Sequence, residues 1–304
     1  MILASLRNSI GRYRILIALP IVIPLALLLG IYVRGWFLLR QFENTSPMHA
    51  ATLLADNGEI LATLGEGPSR YIPLETIPLD MQNAIVAIED RWFYEHPGFN
   101  PVAILRAIYV DIRAKRKVLG ASTITQQLAK NLFLTSRKTL SRKIEELVLA
   151  VILEQRYTKD QILELYLNQI YFGKGSYGIE AAARTYLGKS ASELNLADSA
   201  LLAAIPRSPS SYDPYINPDL ALERRNHVLE RMAALDMITE ASRAKASATP
   251  LRLSRLERGP APYFVDYVRK QLEDKYGSAL VYKGGLRVHT TLNMDYQAAA
   301  HAAF

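Results

Sequence analysis

Cysteine is absent from the 304 residues of this chain. Its absence excludes disulfide bonds, thiol catalysis and metal sites built from cysteine. Histidine is scarce, with five residues, and no group of histidine and aspartate has the spacing of metal ligands. The chain also lacks internal repeats and low-complexity tracts. It is long enough for one large domain or two modest ones.

Acidic residues are outnumbered by basic ones, and the formal net charge is +7. A basic excess is typical of proteins that meet nucleic acid, anionic lipid or a phosphorylated substrate. Only one long uncharged run occurs, residues 15–33, and its length is about that of a membrane-spanning helix. Arginines precede it, and Trp36 and Phe37 suit the far interface, so we expect a cytoplasmic N-terminus. Nucleic acid is then not an expected partner.

A cleaved signal peptide is the rival interpretation of this run. Its apolar region would be about 7–15 residues long and would end at a small-residue cleavage site. The residues that follow, YVRGWFLLRQF, contain no such site. The sequence therefore favours an uncleaved anchor.

The sequence predicts the following layout: a cytoplasmic stub (1–14), a transmembrane anchor (15–33), a linker (34–50), one large domain (51–245) and a second linker (246–304). A hairpin is expected around Asn57-Gly58, because this pair favours a tight turn between strands. The apolar periodicity then predicts mostly α structure. The predicted helices cover 79–91, 100–116, 121–133, 139–156, 159–171, 176–187, 192–205 and 218–234. A further helix (263–276), a strand in GGLRVHTTL and an alanine-rich helical end follow, and we expect the natural chain to continue beyond Phe304.

The segment EDRWFYEHPG begins at Glu89, where the predicted helix LDMQNAIVAIE ends. Met81, Ala84, Ile85 and Ile88 form its apolar stripe, and Glu89 lies at the border of that stripe. Partial desolvation raises the pKa of a carboxylate and suits it to general-base work. A surface Glu-Asp pair that simply ends a helix explains the segment equally well.

A second segment, GASTITQQLAKN, places Thr123, Gln127 and Lys130 on one face of a helix. Ser122 or Thr123 is expected to cap this helix. The hydroxyl, amide and ammonium groups suit sugar hydroxyls or phosphate oxygens. On periodicity alone, a polar outer face with a cap is the more economical interpretation.

The stretch 99–117 combines an apolar helix with a basic end, DIRAKRK. This pattern is typical of an interfacial helix that touches anionic lipid, and equally of a core helix with a solvated end.

A third segment, RKIEE at 142–146, opens a long helix. Arg142 and Glu146 have the spacing of a helix-surface ion pair, but Glu146 also borders the apolar stripe. Basic residues at 137, 138, 142 and 143 would suit a diphosphate. Two carboxylates, basic clusters and an anchor together favour glycosyl transfer from a lipid diphosphate, although spacing alone does not show that Glu89 and Glu146 share one site.

Five segments in this order resemble the motifs of glycosyltransferase family 51, the peptidoglycan glycosyltransferase domain of class A penicillin-binding proteins and monofunctional transglycosylases. They are EDRWFYEHPG, GASTITQQLAKN, SRKIEE, KDQILELYLNQIYFGKGSYGIEAAARTYLGK and LNLADSALLAAIPRSPSSYDP, within about 51–232. Ala121 replaces a usual glycine and Asp198 a common glutamate. The resemblance implies a mostly α fold, with a lysozyme-like lobe and a small membrane-associated lobe near 99–117, preceded by the one transmembrane helix.

The resemblance also implies residue roles. Glu89 would deprotonate the 4-hydroxyl of the acceptor sugar of lipid II, and Glu146 would stabilise the leaving undecaprenyl diphosphate, through Mg²⁺ or Mn²⁺ if a metal takes part. No organic cofactor is implied. The remaining site residues would bind or shape the substrate site: Asp90, Phe93, His96, Thr123, Gln127, Lys130, Asn131, Arg142 and Lys143.

The product would be a β-1,4 glycan formed with inversion. The implied location is the cytoplasmic membrane, as a single-pass protein with its catalytic domain on the periplasmic or extracellular side. The bilayer, the nascent glycan and other cell-wall synthesis proteins would be partners.

The stretch after residue 260 resembles the linker toward a penicillin-binding transpeptidase domain. No Lys-Ser/Thr-Gly triplet is present in this chain, and SRAK at 242–245 is an isolated match. The alternatives are a lysozyme-like lytic transglycosylase or muramidase, and an inactive membrane-anchored scaffold. The lytic alternative leaves the basic clusters unexplained.

Overall fold

The structure is a computed structural model that describes residues 2–44, 51–64, 71–114, 122–134, 139–174, 176–255, 261–276, 281 and 285–303. Helices account for most of the described residues. The helices are α1 (Ile2–Asn44), α2 (Leu79–Glu89), α3 (Pro101–Ala114), α4 (Ile124–Phe133), α5 (Leu140–Arg156), α6 (Lys159–Gln169), α7 (Ile179–Leu187), α8 (Leu196–Ala204), α9 (Pro218–Ala233), α10 (Glu240–Ser247), α11 (Pro262–Tyr276) and α12 (Met294–Ala303). The strands are β1 (Ala51–Leu54), β2 (Ile60–Leu64) and β3 (Arg287–His289).

The prediction of a mostly α fold is confirmed, and each helix predicted between 79 and 234 has a counterpart. Threonine side chains begin three of these helices: Thr123, Thr139 and Thr158 each accept a hydrogen bond from a backbone N–H of the first turn. Gly188, with φ of 68°, ends α7 in the left-handed conformation that suits glycine. Local capping therefore sets many of the helix ends.

One large apolar core joins the central helices. Helix α2 packs against α8 and α9, while α4 packs against α5 and α6. The largest fully buried side chains of this core include Phe93, Tyr166, Phe172 and Tyr186. This helical lobe carries every predicted site residue and is consistent with the expected lysozyme-like lobe.

A second, smaller core lies under a three-stranded sheet. Strands β1 and β2 form the predicted antiparallel hairpin, and β3 pairs parallel to β1, with Leu53 opposite Val288. Leu53 and Val281 are buried there, and Tyr177 of the helical lobe packs against the same cluster. Residues 285–292 thus fold back onto the start of the predicted catalytic domain, and β3 lies in the predicted strand GGLRVHTTL. Helix α10 also crosses the boundary predicted at residue 245.

Helix α1 extends beyond the predicted anchor. Helix α1 continues through most of the predicted 34–50 linker and ends at Asn44, while residues 45–50 lie outside the described part. Within the described residues, one helical segment is long and apolar enough to cross a membrane, Val22–Glu43, with a mean hydropathy of 2.0. The helix persists because α5 gives its last turns a packing partner.

Candidate active site

Glu89 is the last residue of α2, where the helix ends and the chain turns toward Phe93. Its carboxylate is half-buried, as the apolar stripe predicts. Gln127 on α4 donates a hydrogen bond from Nε2 to Oε2 of Glu89 at 2.8 Å. The amide thus holds one carboxylate oxygen of Glu89 in place.

Asp90 and His96 form a buried pair beneath Glu89. His96 Nδ1 accepts the N–H of Gly98 at 3.2 Å, so Nε2 carries the proton and donates to Asp90 at 2.9 Å. Asp90 also accepts the N–H of Ile124 at 3.0 Å, at the start of α4. These two side chains therefore hold the first segment against the second, and their buried position gives them a supporting task rather than contact with substrate.

Gly98 packs tightly against α5. Its φ is +90°, and a Cβ there would lie 3.0 Å from the carbonyl oxygen of Ala150, so a side chain is excluded. The hydroxyl of Thr123 donates to the Gly98 carbonyl at 2.7 Å while accepting from Gln126 N–H. Thr123 is thus the cap, is buried, and is engaged on both sides; the expectation that its hydroxyl orients substrate has no support in this geometry.

Phe93 is fully buried and packs edge-on against His96. The Lys159 ammonium lies 4.6 Å from the Phe93 ring centre and donates to the His96 carbonyl at 2.6 Å. A side chain without exposure cannot line a substrate site. Phe93 supports the turn that follows Glu89.

Glu146 lies at the centre of the cationic cluster on α5. Its carboxylate is buried and forms ion pairs with Arg142, at 2.8 Å, and with Lys143. Lys143 also donates to the Ser122 hydroxyl at 2.8 Å, which joins this cluster to the start of α4. Arg142 Nε is buried without a protein partner. The cluster presents cations whose positions Glu146 fixes.

Helix α4 and its start contact both carboxylate regions. Gln127 on α4 donates to Glu89 at 2.8 Å, while Ser122 just before α4 accepts from Lys143, the ion-pair partner of Glu146. Lys130 lies on the same helix, and desolvation lowers its pKa below the usual lysine range, although its side chain still reaches solvent. Glu89 and the cluster around Glu146 thus both adjoin α4, which spacing in the sequence could not establish. Asn131, the next residue of α4, is half-buried.

The expected divalent ion fits these residues poorly. Both oxygens of Glu146 are already held by cations. Among the residues that the structure describes, no three His, Cys, Asp or Glu side chains group as metal ligands would. The participation of Mg²⁺ or Mn²⁺ stays a prediction, and no step below depends on it.

Arg224 on α9 is a cation near Glu89 that the motif analysis did not select. Burial lowers its pKa, whereas the charge of Glu89 raises it, and its guanidinium lies 5.5 Å from the ring centre of Tyr212. Its Nε is buried without a protein partner. The available signal was its helical spacing from Ala221 and Val228, which are both buried.

Tyr166 on α6 is the second residue that the motif analysis missed. Its side chain is fully buried, and its hydroxyl donates to Oε1 of Gln127 at 3.2 Å. In contrast, Glu164 and Asn168 of the same helix bind the backbone N–H groups of Leu74 and Ile72, at 2.7 and 3.0 Å. Two side chains of α6, Glu164 and Asn168, therefore hold the chain that precedes α2. A third side chain of this helix, Tyr166, contacts the site.

The fold and the site define a helical protein in which a half-buried carboxylate and a cluster of cations adjoin one helix, an arrangement that suits an anionic ligand. A family profile described as Transglycosylase matches residues 57–233, and the chain belongs to this family. Penicillin-binding protein 1A of Aquifex aeolicus is 45% identical over 262 residues, covering 86% of this chain and 36% of the relative. Penicillin-binding protein 1A of Escherichia coli is 42% identical over 256 residues, covering 81% and 29%.

The chain thus spans about a third of the length of the curated relatives that it matches. A crystal structure of penicillin-binding protein 1A from Haemophilus influenzae superposes with a TM-score of 0.44 at 26% identity, covering 85% of this chain and 29% of that one. The predicted family, the peptidoglycan glycosyltransferases of class A penicillin-binding proteins, is confirmed by the profile and the relatives.

Proposed function

We propose that this chain is a peptidoglycan glycosyltransferase that polymerises lipid II into β-1,4 glycan strands and releases undecaprenyl diphosphate. The observation that carries the proposal is that one helix, α4, contacts Glu89 through Gln127 and adjoins the Arg142–Lys143–Glu146 cluster through Ser122. Membership of the transglycosylase family supports the same reaction.

In the proposed reaction, Glu89 accepts the proton of the acceptor 4-hydroxyl as the oxygen attacks the anomeric carbon of the donor sugar. The new glycosidic bond forms as the bond to the diphosphate oxygen breaks, and attack from the opposite side inverts the α linkage to β. The amide N–H of Gln127 binds Oε2 of Glu89, so Oε1 of Glu89 stays available to the acceptor hydroxyl.

The departing diphosphate gains negative charge that cations must stabilise. Lys130, Arg142 and Lys143 supply three positive side chains in one group. Groups that are already oriented stabilise such charge without reorganisation, and Glu146 provides the orientation. Glu146 is therefore assigned to the alignment of the cations.

Two helices, α1 and α3, are proposed to contact the membrane. The span Val22–Glu43 would anchor the chain in the cytoplasmic membrane, with the helical lobe outside the cell. Val102, Leu105 and Tyr109 are exposed along one face of α3, and Arg106 lies on the same helix, so this helix suits a membrane-associated lobe that meets anionic lipid. The basic residues 115–117, 137 and 138 lie outside the described part. Nascent glycan and other cell-wall synthesis proteins would be partners.

The substitution Glu89→Gln tests the base. It keeps the shape and the hydrogen bond of the side chain but removes the proton acceptor, so we expect polymerisation of purified lipid II to fall by about 10²–10⁴-fold. The assay measures glycan polymer and released undecaprenyl diphosphate. A Glu95→Gln control, an exposed glutamate in the same segment, should retain full activity.

Two results would contradict the proposal. Unchanged polymerisation by Glu89→Gln would remove Glu89 as the base. Shortening of polymerised glycan, without synthesis from lipid II, would favour a lysozyme-like lytic enzyme, and the absence of both activities would favour a scaffold.

A further inference from the structure

A chain of hydrogen bonds runs from the core of the helical lobe to Glu89. The hydroxyl of Tyr166 donates to Oε1 of Gln127 at 3.2 Å, and Nε2 of Gln127 donates to Oε2 of Glu89 at 2.8 Å. Tyr166 has no exposed surface and therefore cannot touch a substrate. Within the described part of the chain, its hydroxyl is hydrogen-bonded to the site through Gln127.

The direction of each bond follows from the chemistry of the groups. An ionised carboxylate only accepts hydrogen bonds, so the amide nitrogen of Gln127 must face Glu89. The amide oxygen then faces Tyr166, whose hydroxyl must donate. Burial and the negative charges of Glu89 and Asp90 raise the pKa of Tyr166 well above its ordinary value, so the phenol keeps its proton across the working pH range.

We propose that Tyr166 is a positioning residue for the transfer reaction. It fixes the Gln127 amide so that the amide holds one oxygen of Glu89 and leaves the other oxygen for the acceptor hydroxyl. This inference rests on the proposed function, because it assigns to Glu89 the part of the base.

The loss of the Tyr166 hydroxyl would release the amide rather than the carboxylate itself. A Gln127 side chain without this partner is free to turn its oxygen toward Glu89, where oxygen would face oxygen. Each such turn removes the N–H that stabilises the ionised carboxylate. Asp90, Lys130 and Arg224, the other charged groups around Glu89, are unchanged by a substitution at Tyr166.

The substitution Tyr166→Phe removes the hydroxyl and keeps the ring. We expect kcat for lipid II polymerisation to fall by about threefold to tenfold, the value of one hydrogen bond, while KM changes little. The NMR signals of the Gln127 side-chain amide should also shift, because this amide loses the hydroxyl that orients it, and this readout needs no turnover.

Tyr186→Phe is the matched control. Tyr186 is equally buried, and its hydroxyl donates to the Phe172 carbonyl at 2.9 Å, with no hydrogen bond to a site residue among those described. This variant should lose thermal stability but keep the wild-type kcat and the wild-type NMR signals of the Gln127 amide. A second test combines Tyr166→Phe with Gln127→Ala, and no further fall in kcat is expected once the amide is gone.

The outcomes separate the two proposals. A wild-type chain that forms no polymer overturns the proposed function, while shifted Gln127 amide signals in Tyr166→Phe still support the chain of hydrogen bonds. A Tyr166→Phe variant with the wild-type kcat and wild-type Gln127 amide signals, or one that matches Tyr186→Phe, overturns the role of Tyr166.

Discussion

Glu89 and Glu146 have the same functional group but different surroundings. Glu89 accepts one neutral amide hydrogen bond and stays half-buried, which leaves an oxygen for chemistry. Glu146 is buried between two cations, and both of its oxygens are engaged. The neighbours of each residue, more than its type, therefore decide which carboxylate keeps an oxygen that no protein group occupies.

Lys130 is expected to make the activity of the site fall at alkaline pH. Desolvation lowers the pKa of Lys130, so it loses its proton at a lower pH than an exposed lysine does. Its charge is present below that pKa and is lost as the pH rises through it. We expect kcat/KM for lipid II to decline on the alkaline side, and Lys130→Arg, which keeps its charge there, to move this limb to higher pH.

Lys189→Arg is the control for this profile, because Lys189 pairs with Asp198 and has no recorded contact with the described site residues. The measurement is the pH dependence of kcat/KM for both variants. An alkaline limb that stays in place in Lys130→Arg would assign the limb to another group.

Individual site residues were predictable where the chemistry is local. Glu89 could be placed at the border of the apolar stripe because four apolar neighbours lie on its own helix. Thr123 suggested substrate contact, yet its hydroxyl is used by Gly98, which lies 25 positions earlier in the sequence. The sequence pattern identifies Tyr166 only as a core residue. Its hydrogen bond to Gln127 depends on the packing of α6 against α4, which the apolar periodicity of a single helix does not reveal.

At the scale of elements, helix α1 packs closely against helix α5. Gly35 is buried, and a Cβ there would lie 2.7 Å from Cδ1 of Ile152 on α5. Tyr32 donates to Gln155 at 2.9 Å, and Arg156 pairs with Glu43 at 2.8 Å. The absence of a side chain at Gly35 thus allows the end of the anchor helix to lie directly on the helix of Glu146.

The substitution Gly35→Leu should separate these helices. Added volume at a packed contact costs about 1–3 kcal/mol, so we expect a lower thermal midpoint in detergent micelles. Gly30→Leu is the matched control, since a Cβ at Gly30 meets nothing within 4 Å in the described structure. Equal midpoints for the two variants would show that the contact between α1 and α5 does not stabilise the protein.

Helix α1 extends through most of the predicted 34–50 linker, as far as Asn44, for a physical reason. Charged residues after the apolar run suggested that the helix ends there, but a helix can continue where a neighbouring element covers it. Leu39 is buried in the main core, and only the tertiary structure shows that partner. The helices predicted between 79 and 234 carry their own apolar stripes, so their positions were predictable.

At the scale of the whole molecule, the chain after residue 260 completes the sheet that begins at residue 51. Leu53 is fully buried, and β1 lies between β2 and β3. The guanidinium of Arg269 on α11 lies 5.4 Å from the ring centre of Tyr171 in the helical lobe. The predicted division at residue 245 therefore separates segments that pack together, because pairing between distant strands leaves no mark on local composition.

The substitution Leu53→Ala tests the stability of this sheet. Truncation of a buried leucine costs about 2–5 kcal/mol, and we expect a lower free energy of unfolding with faster hydrogen exchange in β1. Activity per folded molecule should not change, because none of the described site residues belongs to the sheet. Ile60→Ala, at an exposed position of the same hairpin, should be close to neutral. A loss of turnover in folded Leu53→Ala would show that the sheet affects the site.

If α1 anchors the proposed enzyme in a bilayer, its packing against the lobe would connect that bilayer mechanically to the cation cluster on α5. A helix of 43 residues is about 65 Å long, roughly twice the thickness of the hydrocarbon layer. A bilayer of different thickness changes the tilt of a spanning helix. Since α1 lies against α5, such a tilt would also turn the helix that bears Arg142, Lys143 and Glu146. We would then expect the thickness of the membrane to affect the position of these three side chains.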